Sequence, residues 1–216
     1  KTTQTSSGAI TYSATGNAAL SQLNSTSGGA LNVTADSDAN NVGAITDNLS
    51  GEVASNLLTT GTATLSAATG IGSSDDIDTT IGTLVATNST SGHIVVQETS
   101  GLVIGVGGVT TTGGNGNINI DVDAGNLTID DVVTAHGSGT VTLNADGGTV
   151  DINAVVSSTS GAIAISGDVI TQDADVTTGG VGTINVTADN GDITMLSGKT
   201  TQTSSGAITY SATGNV

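Results

Sequence analysis

The chain contains no cysteine, proline, tryptophan or phenylalanine, and no arginine. Without cysteine, disulfide stapling and thiol chemistry are excluded. Without proline, every segment keeps its backbone N–H, as a strand paired on both edges requires. Aromatic residues are nearly missing too, with only Tyr12 and Tyr210 among 216 residues. Globular domains of this length fill a thick core with aromatic side chains. This interior has to be narrow and built from Val, Ile, Leu and Ala. Basic residues are scarce as well. Two lysines face nineteen acidic residues, for a formal charge of −17. That balance repels nucleic acid and anionic lipid, which are bound through Lys and Arg, and it attracts cations. Long apolar runs are missing: no window approaches the run of about 18 residues that a membrane-spanning helix needs. With 35% hydrophobic residues the chain is nonetheless too apolar for disorder. It opens on Lys1 with no signal peptide in view, and reads as an excerpt of a longer protein.

What the chain has instead is repetition on two scales. Residues 1–17, KTTQTSSGAITYSATGN, return letter for letter as residues 199–215, an offset of 198. Residues 1–198 therefore read as one full tandem unit, and 199–216 as the start of the next, continuous with the first. Both lysines and both tyrosines are one repeat position seen twice. Inside the unit runs a shorter pattern, Gly-x-Φ-x-Φ-x-Ala, where Φ is apolar. It appears as GAITYSA at Gly8, GALNVTA at Gly29, GTATLSA at Gly61, GNINIDV at Gly116, GTVTLNA at Gly139, GAIAISG at Gly161 and GTINVTA at Gly182. GAITYSA then returns at Gly206.

From Gly116 onward the intervals are 23, 22, 21 and 24 residues. Strict alternation over five to seven residues marks a strand with one buried face. A repeat near 22 residues is what one coil of a β-solenoid needs. Second and third short apolar segments follow in the better coils, such as Val150 and Ile152, then Val155 and Val156. Three strands joined by Gly, Asn and Asp corners describe a three-sided coil, with φ > 0 at the corners as the expected role of glycine. Outward positions such as Thr11, Thr142, Thr183 and Thr209 suit an exposed pleated face. The spacing widens to about 31 residues on either side of Gly61. That leaves two readings for this stretch: extended loops such as residues 70–82, or a degenerate coil. A unit then holds eight coils at about 25 residues or nine at 22. At about 4.8 Å per rung, nine coils advance roughly 43 Å.

The stretches GTVTLNADGGTVDINA and GTINVTADNGDIT resemble the repeats of filamentous-haemagglutinin-type exoproteins and related giant bacterial surface proteins. The resemblance is clearest from Gly116 to the end and weakest over residues 36–110. It implies an all-β, right-handed parallel β-helix, secreted to the cell surface or beyond and serving as a fibre or adhesin. The expected partner is the chain itself, end to end, with lateral bundling left open. Two functions follow. One is a structural fibre of stacked tandem units, and the other a rigid adhesin stalk whose binding tip lies outside this stretch.

Chemistry-bearing residues are few. Aspartates occur in short runs: Asp36 and Asp38; Asp75, Asp76 and Asp78; Asp121 and Asp123; Asp173 and Asp175. Clustered carboxylate oxygens are the ligands Ca²⁺ takes, which makes calcium the one cofactor to consider. Against it, GGNGNIN and GGVGTIN carry Ile118 and Ile184 where the calcium-binding solenoid repeat needs Asp. His93 and His136, the latter near Asp131, lack the spacing of a metal or catalytic pair and read as solvated corners. β-Helical polysaccharide lyases and hydrolases need carboxylate or basic clefts with aromatic platforms. Here no such set exists, and Glu52 and Glu98 are the remaining unpaired acid candidates. No catalytic role is expected. Sequons stand at Asn24, Asn32, Asn48, Asn88, Asn126 and Asn185, as they would by chance in a chain rich in Asn, Ser and Thr.

Overall fold

The computed structural model describes residues 1–51 and 54–216. It is a parallel β-solenoid of about nine turns, and no helix among the described residues is long and apolar enough to cross a membrane. Alternation decides each strand. In Ile118–Val122 the three apolar side chains are buried, while Asn119 and Asp121 between them are not. So short a strand, with one apolar face, needs a partner on both edges. It finds them one coil away: Ile118–Val122 pairs in parallel with Ile94–Glu98 above and with residues 141–145 below, with no shift in register. Ile94, Ile118, Val141, Ile163 and Ile184 thus stack in one buried column. Burying each such side chain contributes about 1.5–3 kcal/mol.

Two ladders run the length of the stack, nine rungs each among the described residues. The first begins with Ile10–Ala14 and Leu31–Ala35, continues through the later halves of Leu57–Ala67 and Ile77–Asn88, and passes residues 109–111. It then takes Val133–Ala135, Val156–Ser158 and Val176–Thr178, and ends at Thr201–Thr203. The second begins with Ala18–Leu20 and Ile45–Asp47, crosses by single bridges at Ile71, and continues down from Ile94–Glu98. Its last rung is Ile208–Ala212, below Ile184–Ala188. The third side of the coil is broken in the middle. Its upper part, Thr2–Thr5, Gln22–Ser25, residues 57–59 and 79–81, joins the second ladder where Ile77–Thr79 meets Val96–Glu98. Its lower part starts beside the first ladder, where Val103 and Ile104 meet Thr83 and Leu84. From there it runs through Leu127–Ile129, residues 150–152 and 170–172 to Ile193–Met195.

This arrangement resolves the wide spacings. Gly29 to Gly61 is one coil with enlarged corners. Gly61 to Gly92 is one coil that ends at a rung unmarked by the motif, residues 83–88, followed by a step to the next side at Ile94. Because of that step, the repeated strand ITYSA does not return to its starting side. Ile10–Ala14 opens the first ladder, and its copy Ile208–Ala212 closes the second. The two are separated by eight coils and one side. Of the paired valines at the third corner, one turns inward and one outward: Val133 and Val156 are buried, Val132 and Val155 are not.

The motif glycines serve a purpose other than the expected one. Gly139, Gly161, Gly182 and Gly206 do not adopt positive φ. They stack on one another instead: a Cβ at Gly161 would lie 2.0 Å from the carbonyl oxygen of Gly139, and one at Gly206 would lie 1.9 Å from that of Gly182. The column is glycine because the backbones of successive corners touch. An inward hydroxyl precedes it. Ser158 Oγ accepts the Gly161 N–H at 2.8 Å and donates to the Gly139 carbonyl at 2.7 Å. Thr203 does the same for Gly206 and Gly182. The glycines that do need φ > 0 are other positions, such as Gly125, Gly147 and, two residues before Gly139 in the same corner, Gly137.

Candidate functional site

The acidic residues are spent largely on the stack's own donors. Asp36, in the left-handed region, accepts the backbone N–H groups of Asn40 and Asn41 and so closes the loop that also holds Asp38. Asp38 accepts the Asn40 amide at 3.0 Å. Asp121 accepts from Asn144, and Asp123 from Gln97, each a coil away. Asp175 takes the Thr200 N–H at 2.8 Å. Asp78 is buried in its strand, bonded through its backbone to Asn56. Asp173 is bonded through its backbone N–H to Ile152, with one carboxylate oxygen buried and unbonded. Asp75 and Asp76 line an open hollow of about 430 Å³ with Gly72, Ser73, Val95 and Gln97. Burial, then the neighbouring Asp75, Asp47 and Asp121, pushes the Asp76 carboxyl above its ordinary value. Among the described residues, no three His, Asp or Glu side chains converge into a group that could hold a metal ion. Ile118 and Ile184, at the would-be calcium position, are wholly buried.

The histidines are corner residues. His93 Nδ1 accepts the Asn117 N–H at 3.0 Å, and His136 Nδ1 bonds the Gly114 carbonyl at 2.9 Å. Asp131 does not reach His136 by any hydrogen bond. Its carboxylate accepts the N–H groups of Gly107 and Val132, which hold it below the usual carboxylate range. Glu52 lies outside the described residues. Glu98 is a fully buried staple at the break in the third side. One oxygen accepts the Thr79 hydroxyl and the Ile81 N–H, at 2.7 and 2.9 Å; the other accepts the N–H and hydroxyl of Ser100. Ile81 lies between the part of its strand that pairs with Val96–Glu98 and the part that pairs with Val103 and Ile104. The carboxylate supplies the acceptor that this change of ladder takes away. Burial pushes Glu98 above the ordinary glutamate value, and the four donors oppose that shift. Of the sequons, Asn88 is buried, its amide bonded to the carbonyls of Ser91 and Gly92, and it offers no accessible nitrogen.

Two further hollows lie at the first and last coils. At the first coil a hollow of about 210 Å³ opens beside Thr3, Tyr12, Leu20 and Leu23. At the last coil an apolar hollow of about 190 Å³ is lined by Ile193, Met195, Tyr210 and Val216. These are the open mouths of the solenoid core. Ile10 is 7% exposed in the first coil, and its copy Ile208 is 42% exposed in the last. The tyrosine points inward in both copies. Tyr12 bonds Thr3 at 2.7 Å, and Tyr210 bonds the equivalent Thr201. Tyr210 also donates to Gln172, a wholly buried amide that in turn bonds Thr201 and the Ala174 carbonyl. Gln172 was not singled out from the sequence. The signal for it was an inward tyrosine in an aliphatic core, since a buried phenol needs a polar partner. No family model, no curated protein and no solved structure matches this chain.

Proposed function

We propose that this chain is a segment of an extracellular fibre, in which tandem solenoid units stack end to end as one continuous rod. The observation that carries the reading is continuity across the repeat boundary. Thr201–Thr203 and Ile208–Ala212, the first strands of the second unit, pair with Val176–Thr178 and Ile184–Ala188 in unshifted parallel register, as any internal rung does. A parallel stack is stabilised by its neighbours and is unprotected only at its ends. A following unit supplies that protection. The role is mechanical, with stiffness coming from the nine-rung ladders and solubility from the acidic surface. The extracellular setting rests on the resemblance of the repeats to bacterial exoproteins.

Electron microscopy of the purified chain, together with sedimentation, tests the reading. Rods that lengthen with concentration at constant width are expected. Isolated particles at every concentration would refute it. Protease shaving of intact cells tests the location, with loss of the chain expected from the surface and not from the lysate fraction.

A further inference from the structure

The first ladder, from Ile10–Ala14 to Thr201–Thr203, differs from the other two sides of the coil in charge. None of its nine rungs carries an acidic or basic residue, in a chain of formal charge −17. The second ladder carries Asp121 on its outward face, and the third side carries Asp151. The corner after the first ladder holds no acidic residue beyond Asp38. The corner after the second holds Asp75, Asp123, Asp146, Asp168, Asp189 and Asp192. On the uncharged side one outward column runs from Ser13 to Thr177. Eight rungs in succession put Ser or Thr there, and none of the eight is buried. Exposed apolar surface gathers beside the same side. Outside the first and last coils, the exposed large hydrophobic side chains among the described residues are Val42, Val106, Val132, Val155 and Val181. Val42 and Val181 stand on the corner after this ladder, and the other three on the corner before it. Scattered exposed valines would need no explanation, but here all five flank the one uncharged side.

We propose that this side binds the same side of a second copy of the chain, the two solenoids lying side by side and antiparallel about a two-fold axis through Thr110. Acidic rods repel one another on any side that presents carboxylates, and this side presents none. The residues about Thr110 are self-complementary, as a contact between identical surfaces requires. Rungs counted outward from it in both directions match Thr87 with Thr134, Ser66 with Ser157 and Thr34 with Thr177. The same axis brings Val42, after the second rung, onto Val181, after the eighth, and Val106 onto its own copy. It also sets the acidic part of the preceding corner, with Asp130, Asp131, Asp173 and Asp175, against residues 82–83 and 26–30, which carry no charge. A two-fold axis along the rods would instead put Val181 against Asp173 and Asp175. Small side chains let two sheets approach closely, and a hydroxyl both donates and accepts, so each column can satisfy the other. A side about 40 Å long and about 20 Å wide covers about 800 Å² per partner, the size of a specific interface. The contact is lateral and does not depend on units stacking end to end.

Sedimentation equilibrium of the full chain, at concentrations below rod formation, is expected to show a dimer. Thr110→Asp places two carboxylates together at the axis and should weaken that dimer by about thirtyfold or more. Thr142→Asp, the same change on the outward face of the second ladder, should leave it intact. Both positions are half-exposed, and an unchanged circular dichroism spectrum checks that both variants fold. The protein has no cysteine, so single thiols report the geometry. Under mild oxidation Val106→Cys is expected to link to its own copy, and Val42→Cys to Val181→Cys when the two are mixed. Val181→Cys alone should stay unlinked. Equal weakening by the two aspartates, or self-linking of Val181→Cys as fast as that of Val106→Cys, would overturn the pairing. A chain that is monomeric at every concentration, or that forms rods only one solenoid wide, would overturn it as well, and the single-width rods would leave the stacked fibre standing. Linked pairs without elongated rods would keep the pairing and remove the fibre.

Discussion

The halves of the stack on either side of Glu98 are built from the same strand motif but held together differently. Below it, side-chain bonds between coils repeat at nearly constant separation: Thr140 to Asn117, Ser138 to Asn115, Thr149 to Asn126 and Asn153 to Asp130 are each 23 residues apart. These four join one pair of neighbouring coils, and the corner bonds Asn190 to Asp168 at 22 and Asn215 to Asp192 at 23 keep close to the same spacing further down. Above it the separations vary, with Ala44 to Asn17 at 27, Gln22 to Ser55 at 33 and Asn56 to Leu20 at 36. The non-glycine residues at positive φ, Asp36, Ala39 and Asn41, are all in this half. So is the buried amide of Asn56, which ties Leu20, Ser21 and Asp47 together. Backbone contact at the motif glycines is common to both halves, since a Cβ at Gly29 would lie 2.3 Å from the Gly8 carbonyl oxygen and one at Gly61 2.2 Å from that of Gly28. The irregular half adds polar ties such as Asn56 where its corners differ in length.

The largest expected effect breaks the regular half where its corners touch. Gly161→Ala drives a Cβ against backbone and should cost about 3 kcal/mol in urea unfolding. Gly147→Ala, at φ +67 with open space around it, should cost only about 1 kcal/mol, the strain of a left-handed alanine. If the two costs are equal, φ and not contact explains the glycine column.

Next comes the boundary between the halves. Glu98→Gln cannot accept from all four donors and should lose about 2 kcal/mol. Hydrogen exchange is expected to rise first at Ile81 and Ser100; a uniform rise along the chain would deny Glu98 its local role. A smaller effect follows from its titration. A carboxyl whose folded pKa is raised holds its proton more tightly in the native state. Its contribution is therefore present below the ordinary glutamate value and lost as pH rises through the window up to the raised value. Asp76 has the same sign. The urea midpoint should fall as pH climbs from about 4.3, and Glu98→Gln should flatten that slope. The smallest expected effect is none. EDTA should leave the melting temperature unchanged in both halves, because among the described residues no three acidic or histidine side chains converge on one point; a fall would restore calcium.

Legibility in the sequence tracked this division. Below Glu98 the motif intervals, the inward Ile and Val columns and the coil length could be read directly, because alternation and length there have one solution. Above it, the spacings from Gly29 to Gly61 and from Gly61 to Gly92 are wide, and the pattern could not separate a long loop from a hidden rung. Glu98 read as an unpaired acid because its partners, Thr79, Ile81 and Ser100, are drawn together by a change of ladder that no local pattern encodes. The aspartate runs are close in sequence, but strand alternation and corners send Asp121, Asp123 and Asp175 to different donors, which spacing alone does not show.

The sequence by itself determined that the chain forms short strands with one buried face, that glycine stands before them, and that the unit begins again at Lys199. Those are local properties, set by alternation and by which residues tolerate a tight corner. Only the tertiary structure decided which side of the coil each strand joins. The motif Gly-x-Φ-x-Φ-x-Ala fits any of the three sides equally well, so the choice lies with the lengths between motifs and with the contacts they permit. The ten-residue step from Gly82 to Gly92 moves the motif by one side, and for that reason the identical segments at the two ends stand on different ladders.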